Sequence, residues 1–329
     1  MSAQQPVAPP RPVEAPVAPG RGSRAPLYWG LLVAVVFALL PLPLSSYQMS
    51  LATEILIFAL LAMSIDMLAG YAGLVSLGHG AIFGTATYVV LYWTTVVGGS
   101  PWIGVALGIV AATALSVVFA LFATRVTGVY FLLLTLALGM IVWGVCLRWT
   151  SVTGGENGIR GGGRPEVIAD PIVFYYVILA MVAVLTLLVW RFIKSPFGLS
   201  LSGIRDSASR MRSLGYNVPL HVFLAFTVSG FVAGIAGACY ALFNNFVSPS
   251  TVQLSQSVEG LLMAIIGGIG TLVGSFIGAA VIIVLENVVS EYTARWPMVL
   301  GGMFVVTMIV APEGILGAVR KLFRRVRKG

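Results

Sequence analysis

The stretch VEGLLMAIIGGIGTLVGSFIGAAVIIVLENVV, Val258 to Val289, decides how this chain is folded. It is apolar almost throughout, yet too long for one membrane span of about 20 residues and too short for two full ones. Gly267-Gly268-Ile269-Gly270 interrupts it, and Gly270, Gly274 and Gly278 make two consecutive small-xxx-small steps, the pattern of close helix contact in a bilayer. Glu259 and Glu286 bracket it. Charge then counts the crossings. With Arg11, Arg21 and Arg24 inside, alternation places Arg125 inside, the loop Ser151 to Asp170 outside and the basic loop Arg191 to Arg212 inside. A single span over 258–289 would expel Arg320, Lys321, Arg324, Arg325, Arg327 and Lys328, against the rule. Two short half-helices reversing near the glycines keep them inside. A broken or re-entrant hairpin follows, and such backbone is tolerated only where it is buried in protein or lines a water-filled path.

Composition makes lipid the solvent. The 329 residues are 58% hydrophobic and 9% charged, with a mean hydropathy of +0.99, where a soluble domain carries about 25% charged residues. The 38 glycines fit helices that approach closely without a hydrophobic force between them. Cys146 and Cys239 fall in apolar stretches far apart and read as small buried hydrophobes, with no disulfide, metal or redox role. The net charge of +8 sits at the chain ends and in one central loop, so it reads as topology and not as a nucleic-acid surface.

The fold class is all-α: a polytopic transmembrane helical bundle of roughly 8 to 10 spans that includes the broken hairpin. Residues 1–26, rich in Pro and Ala, read as a disordered cytoplasmic tail, 27–318 as the membrane domain and 319–329 as a basic cytoplasmic tail. Tyr28 to Leu44 reads as an uncleaved anchor. Further spans are expected over Met49–Leu68, Leu77–Val97, Trp102–Thr124, Val129–Trp149, Ile172–Ile193, Leu220–Phe243 and Pro297–Val310.

Four features stand out as candidate machinery. Gly70 to Gly84 packs glycines with Ser76 and His79 at the start of an apolar segment; Gly73, Ser76, His79 and Gly80 are candidates for lining a solute pathway, or for a packing seam through Gly80 and Gly84. Gly267, Gly268 and Gly270 are pathway candidates at the hairpin. Asp66 lies inside a span, where a carboxylate costs about 2.5 to 3.5 kcal/mol; His79, Ser64 or a water-filled cavity are its candidate partners, while Glu54 is closer to the span's end. Ser195 to Pro219 carries Arg205, Asp206, Arg210 and Arg212 with Gly215 behind them, a short amphipathic helix ended by glycine. There is no G-x-x-x-x-G-K-[ST] loop, H-E-x-x-H pair or G-x-S-x-G elbow in the sequence, so no catalytic residue, metal ligand or cofactor site is assigned.

Gly70-Tyr71-Ala72-Gly73 with Ser76-Leu77-Gly78-His79, then Thr150-Ser151-Val152-Thr153-Gly154-Gly155-Glu156-Asn157-Gly158-Ile159, resembles the permeases of branched-chain amino acid ABC importers, specifically their LivM-like member. Ser195-Pro196-Phe197-Gly198, Ile204-Arg205-Asp206 ending at Leu214-Gly215, Gly267 to Thr271 with Gly274 and Gly278, and Ala311-Pro312-Glu313-Gly314 extend the likeness over about residues 30 to 318. The resemblance implies a LivH-like second permease chain, two cytoplasmic ABC ATPase subunits that hold ATP-Mg, a periplasmic substrate-binding protein and a small-molecule cargo, branched-chain or related amino acids or else amides or urea, in the bacterial inner membrane, with both termini cytoplasmic. It also implies that Ile204 to Gly215 is the ATPase coupling loop. Leu74 stands where the family usually has Gln, and Ala208 to Ser213 departs from the usual acidic-then-small run. The rival reading is an ion-coupled secondary transporter or channel, which wants paired intramembrane charges.

Overall fold

A computed structural model describes residues 45–292, 296–310 and 314–317. The expected tails, the Tyr28–Leu44 anchor, the C-terminal basic cluster and Ala311, Pro312 and Glu313 lie outside the described residues.

The helices start where the sequence supplies caps. Helix α1, Ser46–Asp66, begins at a capping box in which Ser45 accepts from the Gln48 amide and the Gln48 side chain accepts from the Ser45 amide. It runs on as a π-helical turn, Met67–Ala72. Then come α2, His79–Thr95, α3, Pro101–Ala123, and α4, Val129–Arg148. A short helix α5, Thr150–Thr153, opens a glycine-rich loop that contains strand β1, Ile159–Arg160. Asp170 caps α6, Pro171–Lys194; Ser195 caps α7, Pro196–Ser213; and Asn217 caps α8, Val218–Asn244. Each of these three carries proline in its first turn, where the missing N–H costs nothing. After strand β2, Phe246–Val247, and a 3₁₀ turn, Pro249–Val252, the chain makes α9, Leu254–Gly267, α10, Leu272–Tyr292, and α11, Trp296–Val310.

The chain is thus a polytopic helical bundle, and among the described residues the one ladder is a two-residue antiparallel pairing of Ile159 with Val247 and Arg160 with Phe246. Among the described residues, six helices are long and apolar enough to cross a membrane. They sort by burial. The α1 span is 94% buried and sits at the centre, packed by α10, α8, α6 and α9, whereas α4 is 22% buried and turns residues such as Ile141 outward. Apolar side chains exposed on α3, α4 and α6 are what a bilayer accepts and water does not.

The hairpin differs from the expected pair of half-helices. Its turn falls at Gly268–Thr271, but α10 is 21 residues long and only α9, with 14, is short. The reason lies upstream of the glycines. The chain enters as the buried 3₁₀ turn Pro249–Val252 in place of the first turns of α9, lodged against α2 where Gly84 has no side chain to obstruct Thr251 and Val252. The glycine steps do make the expected contact: a Cβ on Gly267 would overlap the Gly274 carbonyl, and one on Gly278 the Met263 carbonyl.

Candidate functional site

The end of α1 and the hairpin tip meet at one end of the bundle. Gly73, with φ of 70°, terminates the π-turn and lets the Leu74 amide reach the Leu68 carbonyl at 3.0 Å. Gly70 crosses the tip so closely that any side chain there would strike the Gly270 backbone and the Asp66 carboxylate. That approach explains Asp66. It is 0% exposed, and its Oδ1 accepts from the Gly270 amide at 2.6 Å. The Tyr71 hydroxyl donates to the Gly270 carbonyl at 2.9 Å, so both polar groups of one tip residue are held from α1. Gly268 and Gly270 adopt left-handed φ values of 119° and 79°, and Gly314 rests on Gly268. Asp66 therefore pairs neither with His79 nor with Ser64, the candidates that the sequence offers: Ser64 Oγ donates to the Leu61 carbonyl at 2.6 Å.

Helix α7 reaches the same node. It is broken at Ser207, whose extended backbone (φ −164°, ψ 98°) and side chain cap a second helical segment, accepting from the Arg210 amide at 3.3 Å. Met211 folds that segment back onto Gly203, and Gly215, at φ 88°, ends it. The six residues singled out here divide by direction. Ile204 is buried; Arg205, exposed overall, sends a guanidinium N–H to the Gly70 carbonyl while its stem lies against Gly73. Asp206, Arg210, Leu214 and Gly215 are exposed, Leu214 at 66%.

The other pathway candidates lie inside the chain. His79 is fully buried between Ser76 Oγ, 3.2 Å from Nδ1, and Ser229 Oγ, 2.7 Å from Nε2. Ser229 uses its proton on the Ser64 carbonyl at 2.6 Å, so it accepts from Nε2–H. Ser76 accepts from the Gly78 amide and donates to Nδ1, which makes a neutral imidazole tying α2 to α8 and α1. The Gly80 amide donates to Ser257 Oγ at 2.8 Å, fastening α2 to α9. Ser76, His79 and Gly80 are brought together in one seam, Gly73 with Gly267, Gly268 and Gly270 around the tip. Sequence reading missed Ser229 and Ser257, because a lone serine in an apolar helix carries no pattern.

At the opposite end the glycine-rich loop is tied down. A side chain at Gly158 would overlap the Val247 carbonyl. Arg164 donates to the Leu242 and Phe243 carbonyls at 3.0 and 3.3 Å, at the C-terminus of α8, and lies 4.2 Å from the Phe174 ring centroid. The half-buried carboxyl groups of Glu54, Glu259 and Glu286, from α1, α9 and α10, share the neighbourhood of Tyr240. Cys146 and Cys239 are buried free thiols.

Residues 47–311, the whole of this bundle, match the family described as "Branched-chain amino acid transport system / permease component". The chain belongs to that family. This permease component is 26% identical over 317 residues to the high-affinity branched-chain amino acid transport system permease protein LivM of Salmonella typhimurium, covering 88% of this chain and 74% of that protein. LivM of Escherichia coli K12 matches with the same identity and coverage. The permease protein LivH of Escherichia coli K12 is 24% identical over 283 residues, 79% of this chain and 91% of LivH. No solved structure matches the chain. The family and the six long apolar helices make it a multi-pass membrane protein.

Proposed function

We propose that this permease component is one of two unlike halves of an ATP-driven importer for branched-chain or related amino acids in a bacterial inner membrane. The observation that carries the reading is the family match over the entire bundle. Likeness to both LivM and LivH supports a partner permease of similar build. Two ATPases holding ATP-Mg sit at the Gly73 end against the exposed segment Asp206 to Gly215, the termini lie on that cytoplasmic side, and a soluble binding protein delivers cargo at the Gly158 end. The chain itself performs no chemistry.

Transport is alternating access. Nucleotide binds two states of the ATPase pair with different affinity, the only means by which a ligand shifts an equilibrium, and α7 carries the difference into the bundle. Selectivity resides in the binding protein, because a path that held cargo tightly would not release it. A second reading draws on the Glu54, Glu259 and Glu286 group: half-buried carboxyl groups from three helices are the kind of proton-binding element that ion-coupled carriers use.

One experiment separates the two. The chain is co-expressed with its neighbouring permease, ATPase and binding protein, reconstituted, and supplied with labelled leucine-loaded binding protein. Uptake that requires internal ATP and all subunits is expected. Uptake by the isolated chain under a proton or sodium gradient, or failure of any ATPase to co-purify, overturns the importer reading.

A further inference from the structure

We infer that Arg205, Gly70, Asp66 and Gly270 form a two-position catch that carries movement of α7 to the hairpin tip. The inference rests on the importer reading, in which α7 is where the motor pushes.

Gly70 lies in the last turn of its helix, where carbonyls lack intrahelical donors, and Arg205 supplies the missing one from a different element. Four residues earlier on that helix, Asp66 has spent one oxygen on the Gly270 amide; its Oδ2 is buried and has no hydrogen-bond partner among the described residues. A guanidinium carries five donors in a planar fork, so it can exchange the Gly70 carbonyl for Asp66 Oδ2, one helical turn away, without leaving its place beside Gly73.

The two positions differ at the tip. With Arg205 on Gly70, the carboxylate is free to hold Gly270. With Arg205 on Oδ2, the carboxylate is drawn toward α7, and the Gly270 amide on its other oxygen follows or lets go. Tyr71, next to Gly70, grips the carbonyl of the same residue, so a shift of this turn moves both handles of Gly270 together. Gly268 and Gly270, in left-handed conformation, bound the turn that these handles hold. Each position leaves one acceptor without Arg205, Asp66 Oδ2 in the first and the Gly70 carbonyl in the second, so the two exclude each other, as the states of a switch must. Arg205 and Asp66 are positioning residues in this scheme; neither touches cargo.

The test uses the complete importer in proteoliposomes, with leucine-loaded binding protein outside and ATP inside, and reads leucine taken up per ATP hydrolysed. This ratio does not move when a variant merely lowers the amount of folded complex. Arg205→Ala and Asp66→Asn are each expected to lower it about tenfold, the size of a typical coupling free energy. The double variant is expected to be no worse than either single one, because both cut the same link. Arg205→Lys keeps the charge without the fork and lowers the ratio about threefold; should Arg205→Ala not assemble, Arg205→Lys and Asp66→Asn decide by the same ratio. Ratios within about twofold of the parent, or single losses that multiply in the double variant, overturn the catch. A parent complex that moves no leucine, or moves it without ATP, condemns the importer reading instead.

Discussion

The two ends of this bundle are built differently. At the Gly158 end the loop is tied by a backbone strand ladder to Phe246 and Val247 and by a forked pair of bonds from Arg164 to the last carbonyls of α8. At the Gly73 end three helices are interrupted, α1 by a π-turn, α7 at Ser207 and the hairpin at Gly268–Thr271, and single side chains bridge the interruptions. Ladders and capped carbonyls hold one arrangement. Interrupted helices joined by exchangeable contacts have more than one arrangement within reach, which is what a coupled gate needs. On the importer reading, motion belongs at the Gly73 end and a fixed platform at the other.

The largest effect is expected from filling the hairpin contact. Gly267→Leu drives a side chain into the Gly274 backbone, which cannot yield as a flexible side chain would, and overpacking of this kind costs about 1 to 3 kcal/mol or more. Uptake is expected to vanish, and the thermal midpoint of the purified complex to fall by several degrees. Retention of full uptake would mean that the close crossing of α9 and α10 is not needed by the gate.

Arg164→Ala at the platform end is expected to act in the opposite manner. It removes two charge-assisted hydrogen bonds, about 1.5 to 3 kcal/mol each at most, together with contact on Phe174. The midpoint drops while leucine moved per ATP stays at the parent value. A fall in that ratio would erase the distinction between platform and gate.

What sequence reveals here follows the same division. Apolar length located the helices within a few residues, and glycine spacing marked the hairpin, because bilayer thickness and close packing write themselves directly into composition. The π-turn, the 3₁₀ turn Pro249–Val252 and the break at Ser207 left no such record; each is set by a neighbour in space. Asp66 illustrates the limit. Its cost inside a span was legible, but its partner is a backbone amide 204 positions away, and every residue except proline has one of those. Arg205 stood out as a charge for an external partner, whereas it also reaches back to Gly70, on the helical segment before the Ser207 break, with Arg210 and Leu214 exposed beyond it.

The division of labour between the ends is tested most directly by distances. Spin labels are placed at Leu214 and Ile269 for the Gly73 end, and at Val97 and Val167 for the other, all of them exposed sites, in a complex with Cys146 and Cys239 replaced. Comparing the nucleotide-free complex with one trapped by ATP and vanadate, the account predicts a shifted distance distribution for Leu214–Ile269 and an unchanged one for Val97–Val167. A Leu214–Ile269 distribution that stays put, or equal shifts at both ends, would contradict it.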